Sequence, residues 1–307
     1  MRIKLVSQKL FTLCVSVLFI VVSVVVSNAQ NTTKGNGRGY RGPVLSVSTY
    51  TVHYNVENGR LRRGRRRIDS IERFTSDGHL HEEKYFTAGG SILWEYRHAF
   101  DSNGRLIESV GTRSKFVYLP ERKVYEYDST GSLIAENGYN LKGQLVNKSE
   151  FGYDKAGRKI QWTSMSYHPE ENLEPHRWTY SYYDSGLVKE ECAFSNKDGS
   201  GFLPTDSLGG PHRKLFLYNG QNKPAVVLQF KANGEFAGLE STRYDRRGNE
   251  LEEVRYGSDG TLKDKTKYVY RFDSFGNPIV QETYEWDEGH RSYQLNEVSY
   301  LIIQYRK

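Results

Sequence analysis

An aromatic residue stands four positions before a glycine along most of the chain, and this spacing constrains the fold more than any other feature. The aromatic members are Phe74, Phe86, Phe100, Tyr127, Tyr139, Tyr153, Tyr182, Phe230, Tyr244, Tyr256 and Phe272. Their glycines are Gly78, Gly90, Gly104, Gly131, Gly143, Gly157, Gly186, Gly234, Gly248, Gly260 and Gly276. Neighbouring copies are often about 12 or 14 residues apart, so the double unit is near 26 residues. Similarity at a fixed period is typical of repeat architectures.

Each copy has the chemistry of a β-hairpin turn. An Asp or Asn often follows the aromatic residue, as Asp128 and Asn140 do, and such side chains bond to the backbone downstream of them. Glycine supplies the positive φ that closes the hairpin. An aliphatic residue such as Leu133 then begins the next strand. The sequence therefore predicts that the eleven glycines of these pairs are structural turn residues.

Between the turns, the side chains alternate with a period of two. Tyr268, Tyr270 and Phe272 face one side, whereas Val269 and Arg271 face the other. No sustained helical periodicity occurs after the N-terminal segment. The predicted fold class is all-β, with tandem antiparallel β-hairpin repeats that form an extended, twisted and curled meander sheet, because flat sheets of that width are unfavourable.

The N-terminus has the pattern of a secretory signal peptide. Basic residues precede an apolar stretch from Leu10 to Val26, and the small residues Ser27 and Ala29 follow it. This order predicts that residues 1–29 are removed. Because the apolar stretch approaches the length needed to span a bilayer, an uncleaved anchor is the alternative.

The rest of the chain is predicted to be one exported domain. Residues 30–44 are interpreted as a flexible linker and residues 45–307 as a single β-hairpin repeat domain. Only Cys192 remains after removal of the signal peptide, so no disulfide framework is expected. The expected location is the periplasm, the outer surface or the medium, with no integral membrane span after cleavage.

The net charge does not indicate a nucleic-acid partner. The whole chain carries a formal charge of +6, and removal of residues 1–29 takes away three basic residues and leaves about +3. The exception is a local run of arginines, which is interpreted as a site for an anionic ligand. It contains Arg60, Arg62, Arg63, Arg65, Arg66 and Arg67.

Two hypotheses account for the arginine run. In the first, it is a charged edge on a terminal strand that blocks sheet-to-sheet aggregation. In the second, it contacts lipopolysaccharide, acidic glycan or another polyanion, because guanidinium groups are bidentate donors. A regular strand would present Arg60, Arg62 and Arg66 on one face, with a bulge at Gly64.

Several copies of the repeat resemble a known class. The segments FDSNGRL at 100–106, YDSTGSL at 127–133 and YDKAGR at 153–158 are similar to the YD repeats of the RHS and teneurin class of bacterial and animal surface proteins. The resemblance covers about residues 50–300. It implies a spiralling sheet of β-hairpins, which in large members curls into a hollow shell that encloses a toxin.

Toxin delivery is not carried over from this resemblance. The chain is short for such a shell, and no core cleavage segment or C-terminal effector domain is recognisable in it. We therefore expect a short exported form without the RHS core or the toxin domain. A milder resemblance to exported proteins with MORN-like hairpin repeats implies scaffolding or protein contact.

One loop carries a cluster of candidate metal ligands within residues 166–177. Its members are His168, Glu171, Glu174 and His176. No recognised ligand spacing occurs there, so a solvated loop is favoured and neither a metal nor a cofactor is expected. An envelope hydrolase or metal-dependent enzyme that uses this loop is the rival hypothesis.

The sequence contains no recognised catalytic motif. A Gly-x-Ser-x-Gly elbow, a phosphate-binding loop and an HExxH motif are all absent from it. Adjacent carboxylates such as Glu82 and Glu83 would face opposite sides of a strand, where they cannot cooperate. No catalytic residues are predicted.

The predicted function is a non-catalytic interaction or scaffold role at the cell envelope. The expected partners are an envelope or extracellular protein, a glycan or another polyanion. Exposed aromatic residues could stack on sugar rings. Packing of these residues on one another is favoured, because hairpin spacing already explains their positions.

Overall fold

The computed structural model describes residues 39–57, 59–113, 120–167, 174–196, 201–206 and 210–307. The predicted signal peptide and most of the predicted linker lie outside these ranges. Within them the secondary structure consists of strands and turns, and no helix is long and apolar enough to cross a membrane.

Twenty strands follow one another along the described part of the chain. They are β1 (Val44–Glu57), β2 (Arg60–Arg63), β3 (Arg67–Phe74), β4 (Leu80–Phe86), β5 (Ile92–Phe100), β6 (Leu106–Arg113), β7 (Arg122–Tyr127), β8 (Leu133–Tyr139), β9 (Leu145–Tyr153), β10 (Lys159–Ser166), β11 (His176–Tyr182), β12 (Val188–Ser195), β13 (Leu203–Pro204), β14 (Arg213–Tyr218), β15 (Pro224–Phe230), β16 (Phe236–Tyr244), β17 (Glu250–Gly257), β18 (Leu262–Phe272), β19 (Pro278–Asp287) and β20 (Ser292–Tyr305). Every pairing between them is antiparallel, and the ladder follows chain order apart from the short strands β2 and β13.

Within the described residues, the sheet closes on itself as a barrel of eighteen strands. Strand β1 pairs with β3 on one side and with the last long strand, β20, on the other. The all-β hairpin architecture is therefore confirmed, but the sheet is not the extended, curled meander that was predicted, because it closes into a barrel. Closure satisfies the backbone groups that two terminal strands would otherwise leave unpaired, and it completes the curl that a wide twisted sheet already tends to adopt.

The turns fall into two sets at opposite ends of the strands. One set, here called the repeat rim, is closed at 75–79, 101–105, 128–132, 154–158, 183–187, 219–223, 245–249 and 273–277. The other set, the opposite rim, includes 87–91, 140–144, 231–235 and 257–261. Five of the repeat-rim turns begin with Asp, whereas the four named opposite-rim turns begin with Thr, Asn, Lys and Gly. The double unit of the sequence is thus one turn at each rim.

All eleven repeat glycines lie in these turns, and they divide between the two rims. Each has a φ between 75° and 88°, a region that favours glycine, and each donates its N–H to the carbonyl three residues earlier at 2.9–3.1 Å. The repeat rim holds Gly78, Gly104, Gly131, Gly157, Gly186, Gly248 and Gly276. The opposite rim holds Gly90, Gly143, Gly234 and Gly260.

The turn after Tyr127 shows the local chemistry. Asp128 accepts the N–H of Gly131 at its backbone carbonyl, 3.0 Å away. Its carboxylate accepts the N–H groups of Thr130 and Ser132 at 2.9 Å each. The aspartate therefore closes the turn with both its backbone and its side chain, while Gly131 supplies the φ of 88° that the chain needs to reverse.

The turn after Tyr218, which lacks a glycine four positions after the tyrosine, reaches the same geometry with a different residue. Gly220 does not take a positive φ there, and Asn222 takes a φ of 58° instead. Asn222 lies four positions after the tyrosine, which is the position that glycine holds in regular copies. Asparagine tolerates this conformation better than most residues, so the turn closes without glycine.

The two faces of the sheet differ in composition. One face carries stacked rings, with Tyr85 and Trp94 at 4.0 Å between centroids and Trp162 and Trp178 at 4.3 Å. The other face carries cross-strand ion pairs such as Glu82 with Arg73 and Arg97. Among the described residues, buried apolar side chains form two clusters, one of Trp94 and Tyr96 and one of Val44, Val47 and Phe74.

Candidate functional site: an arginine-lined concavity

The arginine run lies where the chain leaves β1 and returns as β3. Strand β2 pairs with the far end of β1 as a short exposed hairpin, and residues 64–66 connect it to β3. The N–H of Gly64 donates to the carbonyl of His53 at 2.8 Å, and a Cβ at Gly64 would lie 2.8 Å from that oxygen. The run is therefore divided among β2, the connection at 64–66 and the first residue of β3 rather than spread along one regular strand.

Closure of the barrel changes the edge hypothesis. Both β1 and β3 are paired on each side, so neither strand forms a free edge of the barrel. Among the described residues, β2 pairs with β1 alone. A charged edge is thus confined to the four-residue strand β2, which carries three of the six arginines.

The other three arginines line a concavity of about 480 Å³. The concavity is bordered by Arg65, Arg66 and Arg67, by Tyr50 and Ile302, and by the opposite-rim turn at 88–90. Its lining therefore includes residues of β1 and β20, which the closure of the barrel brings together. This neighbourhood cannot be read from the order of residues along the chain.

Arg66 is held in place by aromatic rings. Its guanidinium lies 4.2 Å from the ring centroid of Tyr50 and 5.2 Å from that of Tyr300. Tyr50 and Tyr300 are direct partners in the ladder between β1 and β20. Stacking on a ring face leaves the in-plane N–H groups of a guanidinium available to an oxyanion.

Arg67 is engaged with protein groups instead. Its guanidinium donates to Nε2 of His53, and Nδ1 of His53 lies 3.3 Å from Oε2 of Glu297. An accepting Nε2 requires the proton on Nδ1, where it can be donated to Glu297. These contacts hold Arg67 at the border of the concavity.

Most of the positive charge of the run is not neutralised by the described residues. Arg62 lies 4.0 Å from Glu57, and both side chains are largely exposed. Within the described ranges, Arg60, Arg63 and Arg65 form no ion pair with an acidic side chain. The concavity and the adjacent hairpin are therefore a concentrated source of guanidinium donors, suited to an oxyanion.

The predicted turn glycines do not converge on a ligand site. Gly90 borders the concavity at Arg65–Arg67, and Gly276 borders a second concavity described below. The other nine border neither of them, and they are Gly78, Gly104, Gly131, Gly143, Gly157, Gly186, Gly234, Gly248 and Gly260. Since they are distributed around both rims, their contribution is to close hairpins rather than to contact a ligand.

The predicted metal-ligand cluster is only partly described. His168 and Glu171 lie outside the described residues. Glu174 accepts a hydrogen bond from the hydroxyl of Ser195, and His176 lies 6.0 Å from the ring of Trp178. Burial lowers the pKa of His176, and Glu174 opposes that shift. No group of three metal-ligating side chains occurs among the described residues.

A buried polar chain on the aromatic face was not predicted. Nδ1 of His98 is 2.8 Å from the hydroxyl of Ser109, and Nε2 of His98 is 3.4 Å from Oε1 of Glu83. The order Ser109, His98, Glu83 is that of a nucleophile, a base and an orienting carboxylate. Ser109 is only 1% exposed, so a substrate does not reach its hydroxyl in this conformation.

The same face holds a buried ion pair. Nζ of Lys123 lies 3.1 Å from Oε1 of Glu136, and both side chains are nearly buried. Burial lowers the pKa of the Lys123 ammonium, but Glu136, Tyr125 and Tyr96 together outweigh burial and raise it. The position of His98 on this face could have been predicted from the sequence. The period-two alternation that places Trp94 and Tyr96 there also places His98 there.

Neither a family model nor a curated protein matches the chain. Among solved structures, it is similar to a porin-like protein from Bacteroides uniformis. That match has 9% identity and a TM-score of 0.42, over 86% of this chain and 98% of that one.

Two structures of TcdB2-TccC3 are also similar to this chain. The structure titled TcdB2-TccC3-TEV matches at 13% identity with a TM-score of 0.35, and the match covers 76% of this chain. The structure titled TcdB2-TccC3 matches at 12% identity with a TM-score of 0.30, and the match covers 80% of this chain. The matched regions are 14% and 15% of those longer chains. At these identities and TM-scores, no property of those proteins is transferred to this chain.

Proposed function

We propose that this protein is an exported interaction protein that binds anionic polymers at the cell envelope through the concavity at Arg65–Arg67. The observation that carries the proposal is the placement of Arg66 against Tyr50 and Tyr300 beside the exposed Arg65. A guanidinium already stacked on rings loses less conformational freedom when it binds an oxyanion. The arginines of β2 extend the positive surface beyond the concavity.

Salt dependence is the first part of the test. We expect the parent protein to bind polygalacturonate and heparin, and to bind them much more weakly at about 200 mM NaCl than at about 50 mM, because exposed charges are screened. The variant Arg62→Gln/Arg65→Gln/Arg66→Gln should lose about tenfold or more in affinity at the lower salt, since charge-assisted hydrogen bonds contribute about 1.5–3 kcal/mol each.

A matched control removes three other exposed cations. Lys142, Lys155 and Arg246 lie in turns and line neither the concavity at Arg65–Arg67 nor the second one described below. The variant Lys142→Gln/Lys155→Gln/Arg246→Gln has the same net charge as the test variant and should bind almost as the parent does. If the test variant binds like the parent but aggregates, the arginines protect the edge of β2 and the binding proposal is wrong.

Export is part of the proposal, and it rests on the order of basic, apolar and small residues before Gln30. N-terminal sequencing of the mature protein should begin at Gln30. A mature protein that retains Leu10–Val26 would show instead that the segment anchors the chain.

A further inference from the structure

A second concavity lies at the repeat rim and also holds arginines. Its volume is about 760 Å³, within the usual range for small-molecule sites. Arg41, Arg247 and Arg271 line it, together with Tyr270, Phe272 and the turn at 273–276. The first concavity borders the opposite-rim turn at 88–90, so the two sites lie at opposite ends of the strands.

The backbone of Arg41 is fixed by a side chain from the turn. The N–H of Arg41 donates to Oδ1 of Asn277 at 2.7 Å, and Nδ2 of Asn277 donates to the carbonyl of Arg41 at 2.9 Å. Asn277 is 2% exposed and also donates to the hydroxyl of Tyr305 at 2.7 Å. This buried amide ties the segment before β1 to the turn between β18 and β19.

These two hydrogen bonds between Arg41 and Asn277 place the guanidinium of Arg41 over the turn. A Cβ at Gly276 would lie 3.1 Å from Nη1 of Arg41, so the glycine leaves the space that the guanidinium occupies. Nearby, the guanidinium of Arg247 lies 4.6 Å from the ring centroid of Phe272. Two guanidinium groups are thus positioned by a close approach to a glycine and by an aromatic ring.

Among the described residues, the carboxylate inside this site forms hydrogen bonds within the rim rather than an ion pair with an arginine. Oδ1 of Asp273 accepts the N–H groups of Phe275 and Asn277 at 2.9 Å each, and Oδ2 accepts the hydroxyl of Tyr305. These hydrogen bonds hold Asp273 in the turn and against Tyr305. Within the described ranges, Arg41, Arg247 and Arg271 form no ion pair with an acidic side chain.

We propose that the concavity bordered by Arg41, Arg247 and Tyr270 binds one acidic sugar unit, a ring that carries a carboxylate or a sulfate. The guanidinium groups supply bidentate donors for the oxyanion, and the ring of Tyr270 supplies an apolar face for the sugar. The site is separate from Arg65–Arg67, and its existence does not depend on the function proposed above. If both sites bind, one molecule holds an acidic polymer at each end and connects two chains.

The test uses short probes that isolate one ligand unit. Digalacturonate carries carboxylates, a heparin-derived disaccharide carries sulfates as well, maltose is neutral, and sodium sulfate lacks a ring. Calorimetric titration of the full mature protein should detect binding of at least one acidic disaccharide and much weaker binding of maltose and sodium sulfate. Binding of maltose or sodium sulfate as tight as that of the acidic disaccharides would overturn the proposal.

Three variants separate this site from the first. Arg41→Gln/Arg247→Gln should reduce disaccharide affinity about tenfold or more, and Arg246→Gln, an exposed neighbour that does not line the concavity, should leave it unchanged. Arg62→Gln/Arg65→Gln/Arg66→Gln should keep disaccharide binding at the repeat rim. If Arg41→Gln/Arg247→Gln binds like the parent with an unchanged melting temperature, the second site does not exist, whatever the first site does.

Discussion

The hydroxyl of Tyr127 donates a hydrogen bond to the backbone carbonyl of Leu106, 2.8 Å away. Tyr127 ends β7, whereas Leu106 begins β6, so the bond joins one repeat-rim turn to the preceding one. The same bond recurs around the rim at 2.7–3.0 Å, in the pairs Tyr153 to Leu133, Tyr218 to Val188 and Tyr244 to Pro224. The repeat tyrosine thus contributes a hydroxyl hydrogen bond to the rim as well as an aromatic ring.

Removal of two of these hydroxyl groups should weaken the rim. The variant Tyr127→Phe/Tyr153→Phe keeps both rings and loses two hydrogen bonds, each worth about 0.5–1.5 kcal/mol. Urea unfolding should therefore show a lower midpoint. Tyr139→Phe is the control, because Tyr139 precedes its glycine by the same spacing at the opposite rim and no hydrogen bond of its hydroxyl is described. An equal loss in the control would contradict a specific role for the hydroxyl ladder.

Turn glycines should be sensitive to substitution according to their φ. Gly131→Ala forces an L side chain to a φ of 88°, although a Cβ there meets nothing closer than 3.9 Å. We expect a loss of about 1–2 kcal/mol in the free energy of unfolding from conformation alone. Gly220→Ala, which has no positive φ and open space, should cost much less. Similar losses in the two variants would show that φ is not the cause.

In the turn at 219–223, glycine can be introduced instead of removed. Asn222 holds a φ of 58°, where glycine would be unstrained, so Asn222→Gly should leave the stability unchanged or raise it. Thermal unfolding monitored by circular dichroism will measure the change. A clear loss of stability would show that the Asn222 side chain contributes more than its backbone conformation costs.

Local chemistry was predictable from the sequence because it depends on neighbours along the chain. The turn residues, the strand alternation and the aromatic face all follow from spacing over a few residues, as in the segment from Tyr127 to Leu133. The turn at Asn222 does not contain the repeat glycine, and its one sequence signal is the position of Asn222 four residues after Tyr218.

Closure was not predictable from those rules. Closure depends on whether the accumulated twist of the eighteen described barrel strands brings β20 back to β1. The total twist of a sheet is not encoded in any pattern of a few neighbouring residues. Both concavities depend on contacts between residues that are distant in the sequence. Closure of the barrel pairs Tyr50 with Tyr300 at the first, and a hydrogen bond joins Arg41 to Asn277 at the second. The sequence therefore indicated the arginine run but not the aromatic rings that hold Arg66.

The buried pair of Lys123 and Glu136 should behave non-additively. Lys123→Met or Glu136→Leu alone leaves one uncompensated buried charge and should cost about 3–5 kcal/mol. The double variant Lys123→Met/Glu136→Leu removes both charges and should be considerably more stable than the sum of the single losses implies. Urea unfolding of the four proteins completes the cycle. Additive losses would mean that the two side chains do not stabilise each other, despite the 3.1 Å separation.

The aspartates of the repeat rim should make the protein sensitive to acid. Hydrogen bonds from the Thr130 side chain and from the Ser132 backbone lower the pKa of Asp128. Backbone N–H donors do the same for Asp101 and Asp154. A carboxyl whose pKa is lower in the folded state stabilises the fold above the unfolded pKa of about 3.9, and that contribution is lost as the pH falls through the lower folded value.

The variant Asp101→Asn/Asp128→Asn/Asp154→Asn keeps an acceptor in each turn but removes the titration. Asn140 already fills this role at the opposite rim, where its Oδ1 accepts the N–H groups of Lys142 and Gln144 at 3.0 Å each. The variant should be less stable than the parent at about pH 7, because hydrogen bonds to a charged acceptor are stronger. Since the parent loses that advantage on acidification, the two urea midpoints should converge between about pH 4.5 and pH 2.5. Parallel curves over that interval would show that these carboxylates do not control the acid stability of the barrel.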